Sequence, residues 1–276
     1  MQKSQNTIVF LVGSKGLIGS ALATSLQGAG YQVFTINVKL PEDSSDLEVI
    51  LDSAIKSRKN SRKILINCAW SPRPTGVNRE STENYAWIEF TRFILNLCTK
   101  NSIQYYGIGS CTEKLLNPTD AYTIAKLKCR ELVLGESQHN TPSTPNFATR
   151  RNELNHGWFV PHYIYNFKPA SPELVRYVIS EIDKFEGSQK AKTVKINSNS
   201  EHDFVSLTEV VHQIMKALEN GISGVIEIGS GRSQKNIELL NMLFSDVSFS
   251  ANHQHRNEIL GYHGVADLKW LSELGG

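Results

Sequence analysis

The chain of 276 residues carries a net charge of +2, and 40% of its residues are apolar and 20% charged. This composition is typical of a soluble protein with one large domain, or one domain with a small lobe. So small a charge argues against nucleic acid or an anionic membrane as the main partner. The first apolar run, Ile8 to Val12, is too short for a signal peptide, and no later run reaches the about 20 apolar residues of a membrane span. We therefore expect a cytoplasmic protein.

The cysteine spacing argues against a metal site. Cys68, Cys98, Cys111 and Cys129 form no CxxC pair and show no metal-like spacing, so we expect four reduced thiols. His253 and His255 form only a weak metal pair, with no further ligand in a matching register. We expect no bound metal.

Short apolar segments alternate with longer amphipathic ones along the first 166 residues. The pattern predicts strands at Ile8–Val12, Gln32–Asn37, Lys63–Asn67, Gln104–Gly107 and Gly157–Tyr163. It predicts helices at Leu17–Gly28, Leu47–Arg58, Ser81–Lys100 and Tyr122–Gly135. This alternation is typical of an α/β fold, a doubly wound and mostly parallel sheet covered by helices on both faces.

The pattern changes after Tyr165. We predict a helix at Glu173–Phe185, a strand at Thr193–Ile196, an amphipathic segment at Glu201–Asn220 and a strand at Val225–Ile228. Residues 1–166 would form the main domain. Residues 167–276 would form a smaller lobe, partly interleaved with the main sheet.

A glycine-rich turn follows the first predicted strand. Glycines let the backbone approach a pyrophosphate, whose charge is met by the N–H groups and positive end of the next helix. The alternative is a tight turn with no ligand. The strand–turn–helix context predicts a dinucleotide site in this turn, made of Gly13, Ser14, Lys15, Gly16, Leu17, Ile18 and Gly19.

The end of the second strand bears on the choice of dinucleotide. NAD sites usually carry an acidic residue there, which binds the ribose hydroxyls. This chain has Asn37, with Lys39 two residues later and Lys15 in the turn. The missing acid and the two cations favour NADP over NAD, unless both lysines are simply solvated.

A candidate proton-transfer set follows the fourth strand. Asp120 is a plausible N-cap of the next helix, on which Tyr122 and Lys126 share one face. A nearby ammonium is expected to lower the phenol pKa, so that Tyr122 exchanges a proton with a substrate alkoxide. Ser110, after the strand, would hydrogen bond the same oxygen.

These motifs resemble the extended short-chain dehydrogenase/reductase family, in its branch acting on nucleotide sugars. Gly13–Gly19 resembles its GxxGxxG, Asn67-Cys68-Ala69 its asparagine–alanine motif, Gly109–Glu113 its serine segment and Tyr122–Lys126 its YxxxK. Asn84 resembles its helix-start asparagine. The similarity continues as weaker motif matches at Trp158–Tyr165, His202–Val205, Val225–Gly231 and Ala266–Gly275.

The resemblance implies a Rossmann-type fold and a role for each matching residue. Ser110, Tyr122 and Lys126 would be catalytic. Besides the glycine-rich turn, the cofactor would contact Tyr122 and Lys126 themselves, and also Asn67, Cys68, Ala69, Pro161, His162 and Tyr163. The substrate would contact Trp70, Cys111, Thr112, His202 and Arg256.

The activity implied is reduction of a keto group on a nucleotide-linked deoxysugar. The alternatives are an epimerase that recycles bound NAD and a non-catalytic dinucleotide-binding regulator. A dehydratase is disfavoured, because Cys111 and Thr112 stand where dehydratases carry Asp-Glu. Homodimers are common in the family.

The chain also departs from the family pattern. The 12-residue separation of Ser110 and Tyr122 implies a shortened substrate loop, and His202 replaces an expected arginine. Arg256 is the remaining candidate for binding a diphosphate. The short stretch from Asn37 to Lys63 implies that one crossover connection of the usual sheet is shortened.

Overall fold

A computed structural model describes residues 6–38, 48–50, 61–70, 77–135, 155–166, 173–184, 193–196, 200–251 and 264–274. Its strands in chain order are β1 (Thr7–Val12), β2 (Gln32–Ile36), β3 (Arg62–Asn67), β4 (Gln104–Ile108), β5 (Gly157–Pro161), β6 (Tyr163–Tyr165), β7 (Thr193–Ile196), β8 (Glu201–His202), β9 (Phe204–Ser206), β10 (Gly224–Ile228), β11 (Gln234–Lys235) and β12 (Ser248–Ala251). Its helices are α1 (Leu17–Gly28), α2 (Val77–Glu80), α3 (Glu83–Lys100), α4 (Ala121–Leu134), α5 (Glu173–Asp183), α6 (Leu207–Asn220), α7 (Asn236–Leu243) and α8 (Lys269–Ser272), and a 3₁₀ turn spans Cys111–Lys114.

Six strands form a central sheet in the order β10-β5-β4-β3-β1-β2. The β1–β2, β1–β3, β3–β4 and β4–β5 pairs are all parallel. β1 and β5 are buried along their whole length, as expected of strands with helices on both faces. The fold is therefore the expected Rossmann-type α/β sheet.

Helix α3 covers this sheet with an apolar stripe. Trp87, Phe90, Ile94 and Cys98 recur at intervals of three and four residues, and all belong to the main core cluster. The helix therefore packs on the core along one side, while Tyr85 on the same helix is exposed.

The strand order reverses beside β1. The chain runs from β1 to β2 at the sheet edge and then returns to β3 on the other side of β1. In open α/β sheets such a reversal opens a crevice at the carboxyl ends of the two strands. The residues that follow β1 and β3 are therefore the natural place for a ligand.

The chain divides into two compact units. The first comprises residues 1–160 and 211–226, and the second residues 161–210 and 227–276. Within the second, β6 pairs with β9 and β7 with β12, and a small core forms around Val178, Val194, Ile196 and Leu240. The boundary predicted after residue 166 falls just inside this second unit.

Two local predictions were wrong. The strand predicted over Gly157–Tyr163 breaks at His162, next to Pro161, and β6 pairs with β9 outside the central sheet. The amphipathic segment from Glu201 begins with two short strands, and its helix starts only at Leu207. Most of the predicted helix Leu47–Arg58 lies outside the described residues. Within the described part, no helix has the length and apolar character needed to cross a membrane.

Candidate active site

The turn after β1 brings backbone segments closer than side chains allow. A Cβ on Gly13, whose φ is +78°, would lie 2.5 Å from the Ala69 nitrogen, and one on Gly19 would lie 2.2 Å from the Gly13 oxygen. Helix α1 begins after its N-cap residue Gly16, with no side-chain cap and no acidic residue in its first turn. Its first N–H groups and positive end therefore suit an anion such as a pyrophosphate.

The end of β2 lies next to this turn. The Gly13 N–H donates to the Ile36 carbonyl at 2.9 Å, and the Ser14 hydroxyl donates to Asn37 Oδ1 at 3.1 Å. The Asn37 amide N–H₂ can therefore donate to a ribose substituent. Lys15 is exposed, whereas Lys39 lies outside the described residues. The preference for NADP stays a prediction.

The end of β3 forms the other side of the crevice. The Cys68 N–H donates to the Val12 carbonyl at 2.9 Å. Asn67 Oδ1 accepts the Ala69 N–H at 3.1 Å, and its Nδ2 donates to the Tyr105 hydroxyl at 3.2 Å. These bonds hold the Asn67-Cys68-Ala69 segment against the glycine turn.

Lys126 lies buried beneath an indole ring. Its Nζ donates to the Ile108 carbonyl at 2.7 Å and lies 3.5 Å from the centre of the Trp70 ring, whose own Nε1 donates to Asn84 Oδ1. Burial lowers the pKa of Lys126 to about 8, against a weaker opposite effect of Cys129. The ammonium is therefore fixed in position at neutral pH.

Tyr122 lies near Lys126, whose Nζ is 5.7 Å from the phenol ring centre. Ser110 is close enough to the phenol to lower its pKa. The Trp70 ring packs edge-on against the phenol at 5.8 Å. Burial raises the pKa of Tyr122 to about 12. The expectation that Lys126 lowers this pKa is wrong, because loss of hydration outweighs the nearby charges.

Glu113 is a site residue that the sequence analysis missed. Its Oε1 accepts the Ser110 N–H at 2.8 Å, both carboxylate oxygens lie within 3.2 Å of the Trp158 Nε1, and Arg130 pairs with Oε2 at 3.4 Å. Burial raises the pKa of Glu113, while the Ser110 N–H and Arg130 oppose this. Serine followed three residues later by glutamate is a capping-box signal, and it could have identified this pair.

Helix α4 begins as predicted. Asp120 caps it by accepting the Thr123 N–H at 2.9 Å, and the same carboxylate pairs with Arg79 at 3.3 Å. The arginine carbon Cζ lies 5.5 Å from the Tyr122 ring centre. Asp120 and Arg79 therefore belong to the surroundings of the phenol.

The remaining described candidates are Cys111 and Thr112 after β4 and a set of residues in the second unit. Cys111 and Thr112 are buried, and burial raises the pKa of Cys111 to about 12, which makes it a poor nucleophile. In the second unit, the His162 Nε2 lies 3.6 Å from the Glu227 carboxylate, and the Tyr163 ring packs on His202 at 4.0 Å. Contacts of these residues, Pro161 included, with cofactor or substrate stay predictions.

Arg256 and the histidine pair at 253 and 255 lie outside the described residues. Across the part of the chain that the structure describes, no group of three or more His, Cys, Asp or Glu side chains is placed to hold a metal ion.

Comparison with known proteins finds similarity in structure only. No protein-family model and no curated protein matches the sequence. The structure is similar to dTDP-4-dehydrorhamnose reductase of Bacillus anthracis in complex with NADP, with a TM-score of 0.68 and 13% identity over 97% of this chain and 92% of that chain. It is also similar to dTDP-glucose 4,6-dehydratase of Bacillus anthracis in complex with NAD, with a TM-score of 0.67 and 15% identity over 98% of this chain and 90% of that chain. A third similar structure is UDP-N-acetylglucosamine 4-epimerase of Bacillus cereus, with a TM-score of 0.66 and 18% identity over 96% of this chain and 92% of that chain.

These similarities extend over nearly all of each chain. At such low identity they show a shared fold, and fold alone does not decide which reaction this chain performs. The chain thus has the Rossmann-type fold of these nucleotide-sugar enzymes, and its activity has to be argued from the site.

Proposed function

We propose that this protein is an NADPH-dependent reductase that reduces a keto group of a nucleotide-linked deoxysugar. What supports the proposal is that Ser110, Tyr122 and Lys126 lie close to one another, in a sheet whose first strand is followed by a closely packed glycine turn. The structural neighbours that act on dTDP- and UDP-sugars support the substrate class.

The residues of the crevice fit a nicotinamide dinucleotide. Gly13 and Gly19 leave space that a Cβ would fill, and the uncapped start of α1 suits the pyrophosphate. Asn37 and Lys15 would lie toward the 2′-phosphate of NADPH, and Lys126 toward the nicotinamide ribose. When bound, the dinucleotide would supply the hydride.

The remaining chemistry is proton transfer by the side chains of this chain. Ser110 would donate a hydrogen bond to the substrate carbonyl, and Tyr122 would protonate its oxygen as hydride arrives. With a pKa of about 12, the phenol stays protonated at neutral pH. That state suits a proton donor.

An epimerase is the second candidate, because one structural neighbour is a UDP-N-acetylglucosamine 4-epimerase. Such an enzyme would retain its cofactor through many turnovers. Cofactor that co-purifies and never exchanges with added NADPH would favour this alternative over net reduction.

Cellular location and assembly complete the proposal. The four cysteines are free, and burial raises the pKa of each of their thiols, which suits a reduced cytoplasmic protein. A homodimer is the assembly we infer, and light scattering would measure it.

The test mixes the purified protein with NADPH and a panel of nucleoside-diphosphate-linked 4-keto-6-deoxyhexoses. We expect NADPH oxidation with at least one sugar, and a loss of about 10² to 10⁴-fold in turnover for Tyr122→Phe with NADPH affinity retained. Tyr85→Phe removes an exposed phenol and is the matched control. Failure to bind any pyridine nucleotide, or wild-type turnover in Tyr122→Phe, would contradict the proposal.

A further inference from the structure

One half-buried indole ring contacts both Lys126 and Tyr122. The Lys126 Nζ lies over the face of the Trp70 ring, 3.5 Å from its centre. The Tyr122 ring stands nearly perpendicular to the same ring, at 84°, with the two ring centres 5.8 Å apart. Trp70 directly follows the Asn67-Cys68-Ala69 segment at the carboxyl end of β3. The indole therefore connects that segment with helix α4.

Helix α3 fixes the orientation of this ring at two points. The Asn84 Oδ1 accepts the Trp70 Nε1–H at 3.1 Å, and Asn84 is itself held because its Nδ2 donates to the Ser81 carbonyl at 2.9 Å. The Trp87 ring stacks on the Trp70 ring, with 5.5 Å between their centres and 20° between their planes. Asn84 and Trp87 are three residues apart on the helix, so both anchors lie on one face. The indole therefore has little freedom to rotate.

The ammonium of Lys126 depends on this ring because few other groups compensate its charge. Lys126 is 4% exposed, and it forms no ion pair with a described residue. Its Nζ donates one hydrogen bond, to the Ile108 carbonyl at 2.7 Å. The face of an indole attracts a cation, most strongly where water is excluded. Since an ammonium has three N–H donors, two remain for the hydroxyls of a ligand after the bond to Ile108.

We propose that Trp70 is a positioning residue, whose indole ring holds the Lys126 ammonium where it meets the ribose of the dinucleotide and keeps the Tyr122 ring beside it. This inference rests on the proposed NADPH-dependent function. The role differs from the substrate contact that the family resemblance implies for Trp70. It acts through Lys126 and Tyr122, and the aromatic face of the ring is the part that matters.

Nuclear magnetic resonance of the ligand-free protein tests the contact without any activity. Lysine labelled with ¹³C at Cε gives one signal for Lys126, identified by its absence from Lys126→Met. Protons near the face of an aromatic ring resonate upfield, so we expect this signal upfield of the other lysines in the wild type. The displacement should be lost in Trp70→Leu and partly kept in Trp70→Phe.

NADPH titration and steady-state turnover test what the contact does. Trp70→Leu and Trp70→Phe both lose the bond to Asn84, so a difference between them reports the aromatic face alone. We expect Trp70→Leu to bind NADPH about tenfold more weakly than the wild type, and Trp70→Phe to stay within about threefold of it. Turnover of the keto sugar that the wild type reduces should fall in the same order.

The control is Trp270→Phe. The Trp270 Nε1 also donates to a protein oxygen, the Glu227 carbonyl at 3.0 Å, but no cation of the described residues lies over its ring. This variant should match the wild type in the Lys126 signal, in NADPH affinity and in turnover.

A wild-type Lys126 signal among those of the other lysines, or equal NADPH affinities for Trp70→Leu and Trp70→Phe, would overturn the role of Trp70 and leave the reductase proposal standing. A wild type that binds NADPH but reduces no keto sugar would overturn the reductase proposal, and the difference in affinity would still decide the role of Trp70. Failure of the wild type to bind NADPH would overturn both.

Discussion

Alanine substitutions at the two glycines of helix α1 distinguish the effect of close packing on stability from the effect of helix propensity. Gly19 and Gly28 lie in the same helix, and each should gain about 0.5–1 kcal/mol of stability on becoming alanine if propensity alone decided the outcome. A Cβ on Gly28 would meet nothing within 4 Å, whereas one on Gly19 would lie 2.2 Å from the Gly13 oxygen. The two substitutions should therefore have opposite effects.

The magnitude follows from the contact at Gly19. The new Cβ would lie about 1 Å inside ordinary contact distance, and Gly13 has little room to yield because it packs against Ala69. Overpacking of this kind costs about 1–3 kcal/mol, which offsets or exceeds the gain in propensity. If half to all of that cost falls on the ligand-binding backbone, NADPH affinity drops by about two- to 140-fold.

The measurements are NADPH titration and thermal unfolding of Gly19→Ala, with Gly28→Ala as the matched control. We expect weaker binding and a lower unfolding temperature for Gly19→Ala than for the control, by about 2–4 °C for each kcal/mol of difference. Equal affinities and equal unfolding temperatures for the two variants would refute the reasoning.

Three further predictions concern charge at the site. Because Lys126 titrates near pH 8 in the folded protein and near 10.5 when unfolded, the unfolded chain binds more protons between those values. The wild type should thus gain stability over Lys126→Met from pH 8 to 10, as followed by chemical denaturation; parallel curves would argue against a buried ammonium. Glu113→Gln places an amide N–H₂ among the Ser110, Trp158 and Arg130 donors, so calorimetry should show a loss of about 1–3 kcal/mol, and unchanged stability would contradict this geometry. Asn37→Asp should weaken NADPH relative to NADH by at least about tenfold in paired titrations, and an unchanged ratio would mean that Asn37 is remote from the ribose.

The sequence predicted the central fold well because its signals there are local. The apolar run of β1, the glycine turn and the amphipathic pattern of α1 act over a few residues and do not compete with one another. The Asp120 cap of α4 is a local signal of the same kind. The residues that position the Ser–Tyr–Lys set were therefore readable from the chain.

The prediction failed where distant packing decides. Glu201–Ser206 forms strands because β8 pairs with β11 and β9 with β6, partners that no local periodicity reveals. The predicted direction of the Tyr122 pKa shift was wrong for a related reason. Spacing placed a cation beside the phenol, but the loss of hydration depends on residues such as Trp70 packed around it.

The contacts among Thr112, Thr123, Asp120 and Arg79 were equally hidden. Thr112 and Thr123 are ordinary threonines in the sequence, and only the fold brings their oxygens within 3.1 Å. Arg79 precedes Asp120 by 41 residues, so no short motif contains the pair.

The discontinuous first unit has a consequence for how the protein can be made. Residues 211–226 belong to it. Three of its hydrogen bonds, from Arg62 to Leu218, from Tyr106 to Ile222 and from Gly224 to His156, join residues in or next to the early strands to that later segment. On a ribosome, β5 would be an apolar edge strand, paired only with β4, until β10 emerged, and exposed edge strands are prone to aggregation. A fragment that ends at residue 160 would keep that exposed edge permanently. The chain should therefore be split or truncated at another position.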